Sequence, residues 1–258
     1  MSSTAPVCLI TGSATGIGAA CARTFAAQGW NVALNHLDQS TRAQAESVAA
    51  DCVAAGAQVL LQELDVRNEA ACQAYVQAVS ARFGRIDALI NSAGSTRFIA
   101  HSDLAALDGE EFHRTYEVNV VGSYQMVRAC EPALKASAQG VIVNISSIGG
   151  VLGRGSSMAY AASKGALNTL TLALARSLAP QIRVNAIAPG FVADGLPSRV
   201  LGETEYKQVL ALQTSAAVLK RVSQPLEVAD LAWFLCSQAP GMTGAVLMMD
   251  NGLHLNAG

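Results

Sequence analysis

The sequence predicts an α/β domain built on a doubly wound sheet of about seven parallel strands with helices on both faces. Three observations lead there. Short apolar, β-branched runs alternate with Ala-rich stretches of helical length along the whole chain. The runs are apolar throughout, as strands covered on both sides must be. At 258 residues, 51% hydrophobic and only 14% charged, the chain can bury a large core.

In order, Val7–Ile10 reads as a buried strand, followed by a glycine-rich turn and a helix over Ile17–Gln28. Asn31–Leu34 is a second strand, with a helix over Ser40–Ala55 closed by Gly56. Val59–Leu61 is a third, with a helix over Glu69–Phe83 ended by Gly84, and Ile86–Ile90 a fourth. A long helix over Phe112–Ser137 precedes the strand Val141–Ile145 and a second long helix, Ala159–Ala179. Ile182–Ile187 and Val246–Met249 complete the set. No Pro/Gly/Ser-rich linker, charge block, repeat or low-complexity segment interrupts the alternation, so residues 1–258 are expected to form a single domain.

A formal net charge of −2 advertises no basic face for nucleic acid or an anionic membrane. The longest apolar runs are broken by Asn, Thr or Arg, and none approaches the roughly 20 residues of a membrane span. Met1–Pro6 shows no secretory signal. The six cysteines and four histidines are scattered, with no ligand spacing. Free thiols in a reducing cytoplasm are expected, and no bound metal.

In parallel sheets of this kind, ligands bind outside the carboxyl ends of the strands. After the first strand comes Thr11-Gly-Ser-Ala-Thr-Gly-Ile-Gly18, where Gly12, Gly16 and Gly18 have the strand–turn–helix setting of a dinucleotide site. The second strand ends in Asn35-His36-Leu37-Asp38. NAD sites usually carry a carboxylate there to bind the ribose hydroxyls. Asn and His would not repel a 2′-phosphate, so the balance leans to NADP with NAD a close alternative; His36 is equally compatible with a loop histidine that binds nothing. After the third strand, Asp65 suits the adenine amino group with Val66 against the ring, or else Asp65 or Asn68 caps a helix. Asn91-Ser-Ala-Gly94 puts Ala93, Gly94 and a small-residue turn after the fourth strand. Asn119, in Glu117-Val-Asn-Val-Val-Gly122, sits in a stretch of poor helix formers, which points to a functional kink or a polar site. The fifth strand delivers Ser146 and Ser147 to the same edge of the sheet.

Tyr160 and Lys164, four apart, share one face of a predicted helix. An ammonium beside a phenol favours the phenolate and lowers a pKa that starts near ~10. A phenol tuned in this way can exchange a proton with a substrate oxygen.

Taken together, the chain resembles the short-chain dehydrogenase/reductases, in the subgroup of about 250 residues that includes the 3-oxoacyl-[acyl-carrier-protein] reductases. The likeness covers nearly the whole chain, with the motifs in the family's order. It implies a Rossmann-type sheet and an NAD(P)(H)-dependent enzyme interconverting a carbonyl and a secondary alcohol. The spacing from Ser147 to Tyr160 is the family's, and selects Ser147 over Ser146. By resemblance Tyr160 is the acid/base, Lys164 lowers its pKa and holds the nicotinamide ribose, Ser147 donates to the substrate oxygen, and Asn119 holds a water. Gly12, Ser13, Thr15, Gly16, Ile17, Gly18, His36, Asp65, Val66, Asn91, Ala93, Gly94, Tyr160 and Lys164 would line the cofactor. Asn185–Gly190, with Pro189, Gly190 and Val192, resembles the loop under the nicotinamide.

Asp194 departs from a common Thr, and Asn251 stands in Asp250-Asn-Gly252 where Asp-Gly-Gly is common. Residues 191–215 look like a substrate lid. Ser95–His101 and Val151–Met158 would form the other walls, with Arg97 and Arg154 either anchoring an anionic substrate or facing solvent. Ala- and Leu-rich helices over Phe112–Ser137 and Ala159–Ala179 imply a homotetramer by analogy. A catalytically silent nucleotide-binding regulator, or an epimerase or dehydratase on the same framework, is the alternative.

Overall fold

A computed structural model describes residues 5–256. The first half comprises β1 (Val7–Thr11), α1 (Gly16–Ala27), β2 (Asn31–His36), α2 (Gln39–Ala54), β3 (Val59–Glu63), α3 (Glu69–Phe83) and β4 (Ala88–Asn91). Then follow α4 (Gly109–Tyr116), a π-helical segment Glu117–Gly122, α5 (Ser123–Ala136), β5 (Gly140–Ile145), α6 (Gly149–Leu152), α7 (Met158–Leu178) and β6 (Ile182–Pro189). The last part holds α8 (Leu196–Val200), α9 (Glu203–Ala216), α10 (Pro225–Ser237), β7 (Val246–Met249) and a 3-10 turn, Leu253–Asn256.

All seven strands pair in parallel, in the order β3-β2-β1-β4-β5-β6-β7. Every residue of β1, β2, β4 and β5 is buried, which is why their sequences are apolar without alternation. Helices α1, α2 and α10 cover one face, where Phe25, Trp30 and Trp233 meet edge to face. Helices α3, α5 and α7 cover the other, packing on Leu89 and Ile142. The chain reverses its order of strand addition between β1 and β4, whose ends Thr11 and Asn91 are register partners. A crevice opens at such a point, and the glycine turn and the Asn91–Gly94 turn form its two lips.

The expected helix over Phe112–Ser137 is not continuous: it divides at the π-helical Glu117–Gly122. The weak propensity of Val118-Asn-Val-Val-Gly122 falls on that break. Gly122 is required there, because a Cβ would lie 2.6 Å from Val66 Cγ2. Strand β4 starts two residues later than expected, and Asp87 just before it binds the Val7 N–H, Arg85 and Ser137 through its carboxylate at the opposite end of the strands. Among the described residues all six cysteines are buried free thiols, and no helix is long and apolar enough to cross a membrane.

Candidate active site

The glycine turn is shaped by contacts that exclude side chains. Gly12 has φ +65°, and a Cβ on it would sit 2.8 Å from Ala93 Cα. A Cβ on Gly18 would sit 2.3 Å from the Gly12 carbonyl oxygen. Two residues outside the predicted set hold this shape. Thr11 Oγ1 accepts the Ser92 and Ala93 N–H groups (3.1 Å each), tying the two lips together. Asn35 Oδ1 accepts the Gly12 N–H (2.9 Å) while its Nδ2 donates to the Leu64 carbonyl (3.1 Å). Ser13 is buried and turned inward, its hydroxyl bonded to the Asn35 backbone on both sides. Thr15 precedes α1 without capping it, and no acid occupies the first turn. By contrast α2, α3, α4 and α7 are capped by Asp38, Asn68, Asp108 and Ser157. The N–H groups at the start of α1, by Gly16 and Ile17, therefore lack a side-chain acceptor and face the crevice with the positive end of the helix dipole. That cradle fits a dinucleotide pyrophosphate.

Along the adenosine side, His36 ends β2 and is buried, its Nδ1 3.0 Å from the Asp38 carbonyl oxygen. Asp38 caps α2 through Ser40, and those hydrogen bonds hold its carboxyl below the usual range. Asp65 carries the Arg67 guanidinium (2.6 Å), whose hydrogen bonds lower its pKa; Asn68, not Asp65, caps α3. Val66 is buried under Gly122.

At the crevice centre, Asn91 Nδ2 donates to Asn144 Oδ1 (2.9 Å), and Asn144 Nδ2 to Thr171 Oγ1 (2.9 Å). This ladder fixes α7 to the sheet. Asn119 is wholly buried, its Oδ1 accepting the Ser95 N–H (2.8 Å) and its Nδ2 donating to the Ser95 carbonyl and Ser163 Oγ. The polar atoms of this side chain are thus engaged with the protein itself. Ser163 in turn donates to the Tyr160 carbonyl (2.7 Å).

Tyr160, Lys164 and Ser147 come together beside Gly94, whose Cβ direction points at Lys164 Nζ, 3.8 Å away. Ser147 hydrogen-bonds the Tyr160 phenol, whereas Ser146 is buried and turned into α7 against Asn168 (2.6 Å). Lys164 is 4% exposed, donates to the Ile145 carbonyl (2.8 Å) and lies 5.7 Å from the Tyr160 ring centroid. The expected downward shift of the phenol is not what this arrangement produces. Burial pushes Tyr160 up to about 12, against the opposing Ser147 hydrogen bond, and burial brings Lys164 down to about 8. Burial thus disfavours the charged form of both groups, and the Lys164 amine lies over the ring with its hydrogen bond given to the Ile145 carbonyl.

The loop after β6 completes the crevice. Gly190 packs so closely that a Cβ would lie 2.8 Å from Asp250 Cβ, and Pro189 accepts the Ile148 N–H. Val192 is buried and bridged to Ser223. Asp194, at φ +54°, donates its N–H to the Tyr206 phenol oxygen (3.1 Å), and its carbonyl faces Gly16. Asn251 takes the left-handed conformation (φ +54°) that Asn tolerates, and its Nδ2 bonds Ser223 Oγ (2.9 Å). The replacement of the common glycine thereby fastens β7 to the Val192 loop.

Comparison with known proteins gives a consistent picture. A family model described as enoyl-(acyl carrier protein) reductase matches residues 12–254. A trans-4-hydroxycyclohexanecarboxylate dehydrogenase from Sinomonas cyclohexanicum is 37% identical, over 95% of this chain and 92% of its own. Among solved structures, a Burkholderia xenovorans chain assigned to the short-chain dehydrogenase/reductases is 53% identical, with a TM-score of 0.92 over 98% of this chain and 99% of that one. An NAD+-bound xylitol dehydrogenase is 31% identical, with a TM-score of 0.86 over 96% and 98%. With the match running from the first glycine of the turn into the closing 3-10 turn, the chain belongs to the short-chain dehydrogenase/reductase family and is an NAD(P)-dependent oxidoreductase of alcohols and carbonyls.

Proposed function

We propose that the enzyme interconverts a secondary alcohol and a ketone, with Tyr160 as acid/base, Lys164 and Ser147 assisting, and NADP(H) preferred. The observation that carries this reading is the meeting of Tyr160, Ser147 and Lys164 beside Gly94, on the edge of the sheet that bears the uncapped glycine turn. A bound nicotinamide cofactor supplies hydride transfer to or from the substrate carbon. Tyr160 gives its proton to the carbonyl oxygen in reduction and takes one from the alcohol in oxidation. Ser147 stabilises charge growing on that oxygen. Lys164 donates to the nicotinamide ribose, and Asn119 positions the Ser95 loop and α7. Gly12, Gly16, Ile17 and Gly18 cradle the pyrophosphate; Asp65 and Val66 take the adenine; Ala93, Gly94, Pro189, Gly190 and Val192 flank the nicotinamide. Segment 191–215 acts as the lid of a single cofactor-binding domain. Its helix α9 has no buried residue, and Phe191 stacks on Tyr206 at 6.1 Å. Apolar side chains exposed on the π-helical segment, α5 and α7, Val121, Tyr124 and Leu172, suit a homotetramer formed through those helices.

The NADP preference rests on residue 36 being histidine and on the Asp38 carboxylate being turned to its capping role. Glu63, the register partner of His36, favours NAD instead. Fluorescence titration with NADPH and NADH decides between them. Tighter NADPH binding is expected; tighter NADH binding reassigns the end of β2 to the ribose hydroxyls.

A further inference from the structure

The loop after β6 is pinned to the body of the protein as far as Ala193. Ser223 donates its N–H to the Phe191 carbonyl (3.2 Å) and accepts the Ala193 N–H on its own carbonyl (2.9 Å). Ser223 is itself buried, its hydroxyl accepting from Asn251. At Asp194 the chain leaves this anchorage in the left-handed conformation, φ +54°. An aspartate tolerates that conformation, whereas a β-branched residue there would be an outlier. The groups that follow lie on the glycine turn. A Cβ built on Gly16 would meet Gly195 Cα at 3.5 Å and the Asp194 carbonyl oxygen at 3.7 Å. Asp194 and Gly195 therefore pass within contact distance of the uncapped start of α1.

From there the chain runs out through α8 and returns through α9, a helix with no buried residue. Tyr206, in the first turn of α9, closes the excursion. Its phenol oxygen accepts the Asp194 N–H (3.1 Å), and its ring stacks on Phe191 with centroids 6.1 Å and planes 30° apart. One side chain thus grips both the anchored residue and the residue at which the chain departs. We infer that Tyr206 is a positioning residue. Through the Asp194 N–H it holds Asp194 and Gly195 against Gly16, so that the 191–215 lid cannot lift without loosening the hold on the cofactor. This rests on the proposed seat of the pyrophosphate at the glycine turn, and it gives Asp194 a backbone role in place of a contact made by its carboxylate.

The test is stopped-flow release of NADPH, or of NADH if that binds more tightly, from the wild type and from Tyr206→Phe, which keeps the stacked ring and removes the hydroxyl. Loss of one hydrogen bond of this kind should speed release by about three- to tenfold. In the cofactor-free protein, the backbone amides of residues 194–202 should exchange with solvent faster. Single-turnover hydride transfer at saturating cofactor should stay at the wild-type rate. Asp194→Thr, a β-branched residue that strains the left-handed conformation, should also speed release when measured against Asp194→Asn, which is equally neutral and tolerates it. Joined to Tyr206→Phe, the threonine should add nothing, because both changes break the same bond. Unchanged release in Tyr206→Phe, or effects of the two substitutions that add, overturns the inference. So does a fall in thermal stability and in hydride transfer that keeps step with faster release, the mark of a general structural role. Release is read without turnover, so the two readings fail separately. Faster release from a variant of a protein that turns over no alcohol or ketone defeats the proposed reaction alone, and normal turnover with unchanged release defeats the latch alone.

Discussion

Lys164 is held in the folded protein at an energetic cost, and replacing it with methionine should make the protein more stable while removing its activity. The ammonium is 4% exposed, and burial lowers its pKa from 10.5 to about 8. A shift of that size corresponds to about 3 kcal/mol against the charged form. For a lysine whose folded pKa is depressed, the penalty is full below the folded value. It is relieved as pH rises from about 8 towards 10.5, the window in which the unfolded chain binds the additional proton. Methionine fills a similar volume without the charge, but it leaves the Ile145 carbonyl without its donor, at a loss of about 1–3 kcal/mol. The balance at pH 6.5 is a net gain of up to about 2 kcal/mol, or as much as roughly 8 °C in Tm for a chain of this length. By pH 9.5 about 2 kcal/mol of the wild-type penalty has gone, so the advantage should vanish or reverse. Urea denaturation of both proteins at the two pH values measures this directly. A Lys164→Met protein less stable than wild type at pH 6.5, or a difference that does not change with pH, refutes the reasoning.

Two further predictions share the same site. Because Lys164 titrates near 8 and Tyr160 near 12, the pair gives up its first proton near pH 8. Oxidative kcat/KM should therefore rise through pH 8 to a plateau, and reductive kcat/KM should fall over the same range. A break near pH 10, in initial rates of the two directions, would return the control to an isolated phenol. Gly12→Ala combines a strained left-handed φ with a contact of 2.8 Å to Ala93 Cα. It should destabilise the protein by roughly 1–3 kcal/mol and weaken cofactor binding more than tenfold, as read by thermal unfolding and NADPH titration. Wild-type affinity in that variant would show that the turn does not hold the pyrophosphate.

Much of this was legible in the sequence because it depends on local pattern. The apolar runs gave the strands, and the weak helical stretch at Val118–Gly122 marked a break that proved to be π-helical. The glycines at 12, 16 and 18 and the spacing of Ser147 from Tyr160 also survive as geometry. The features that the sequence does not display depend on partners distant in sequence. Thr11 and Asn35 look like ordinary strand-end residues until the sheet order places them against Ala93 and Gly12. The upward shift of Tyr160 comes from burial, which an i, i+4 spacing does not show. Helix α10 carries a local signal of its own: Gln224-Pro-Leu-Glu227 is a capping box with proline at the first helical position.

The central claim is that the Tyr160 hydroxyl transfers the proton. Tyr160→Phe removes that oxygen and keeps the ring beneath Gly155 and Lys164. Steady-state kcat/KM for whichever alcohol the wild type oxidises, measured beside an NADPH titration of the same preparation, tests it most directly. Loss of general acid/base catalysis should lower kcat/KM by about 10²–10⁴ while cofactor affinity stays within about threefold. A variant that keeps more than about a tenth of wild-type turnover would contradict the assignment.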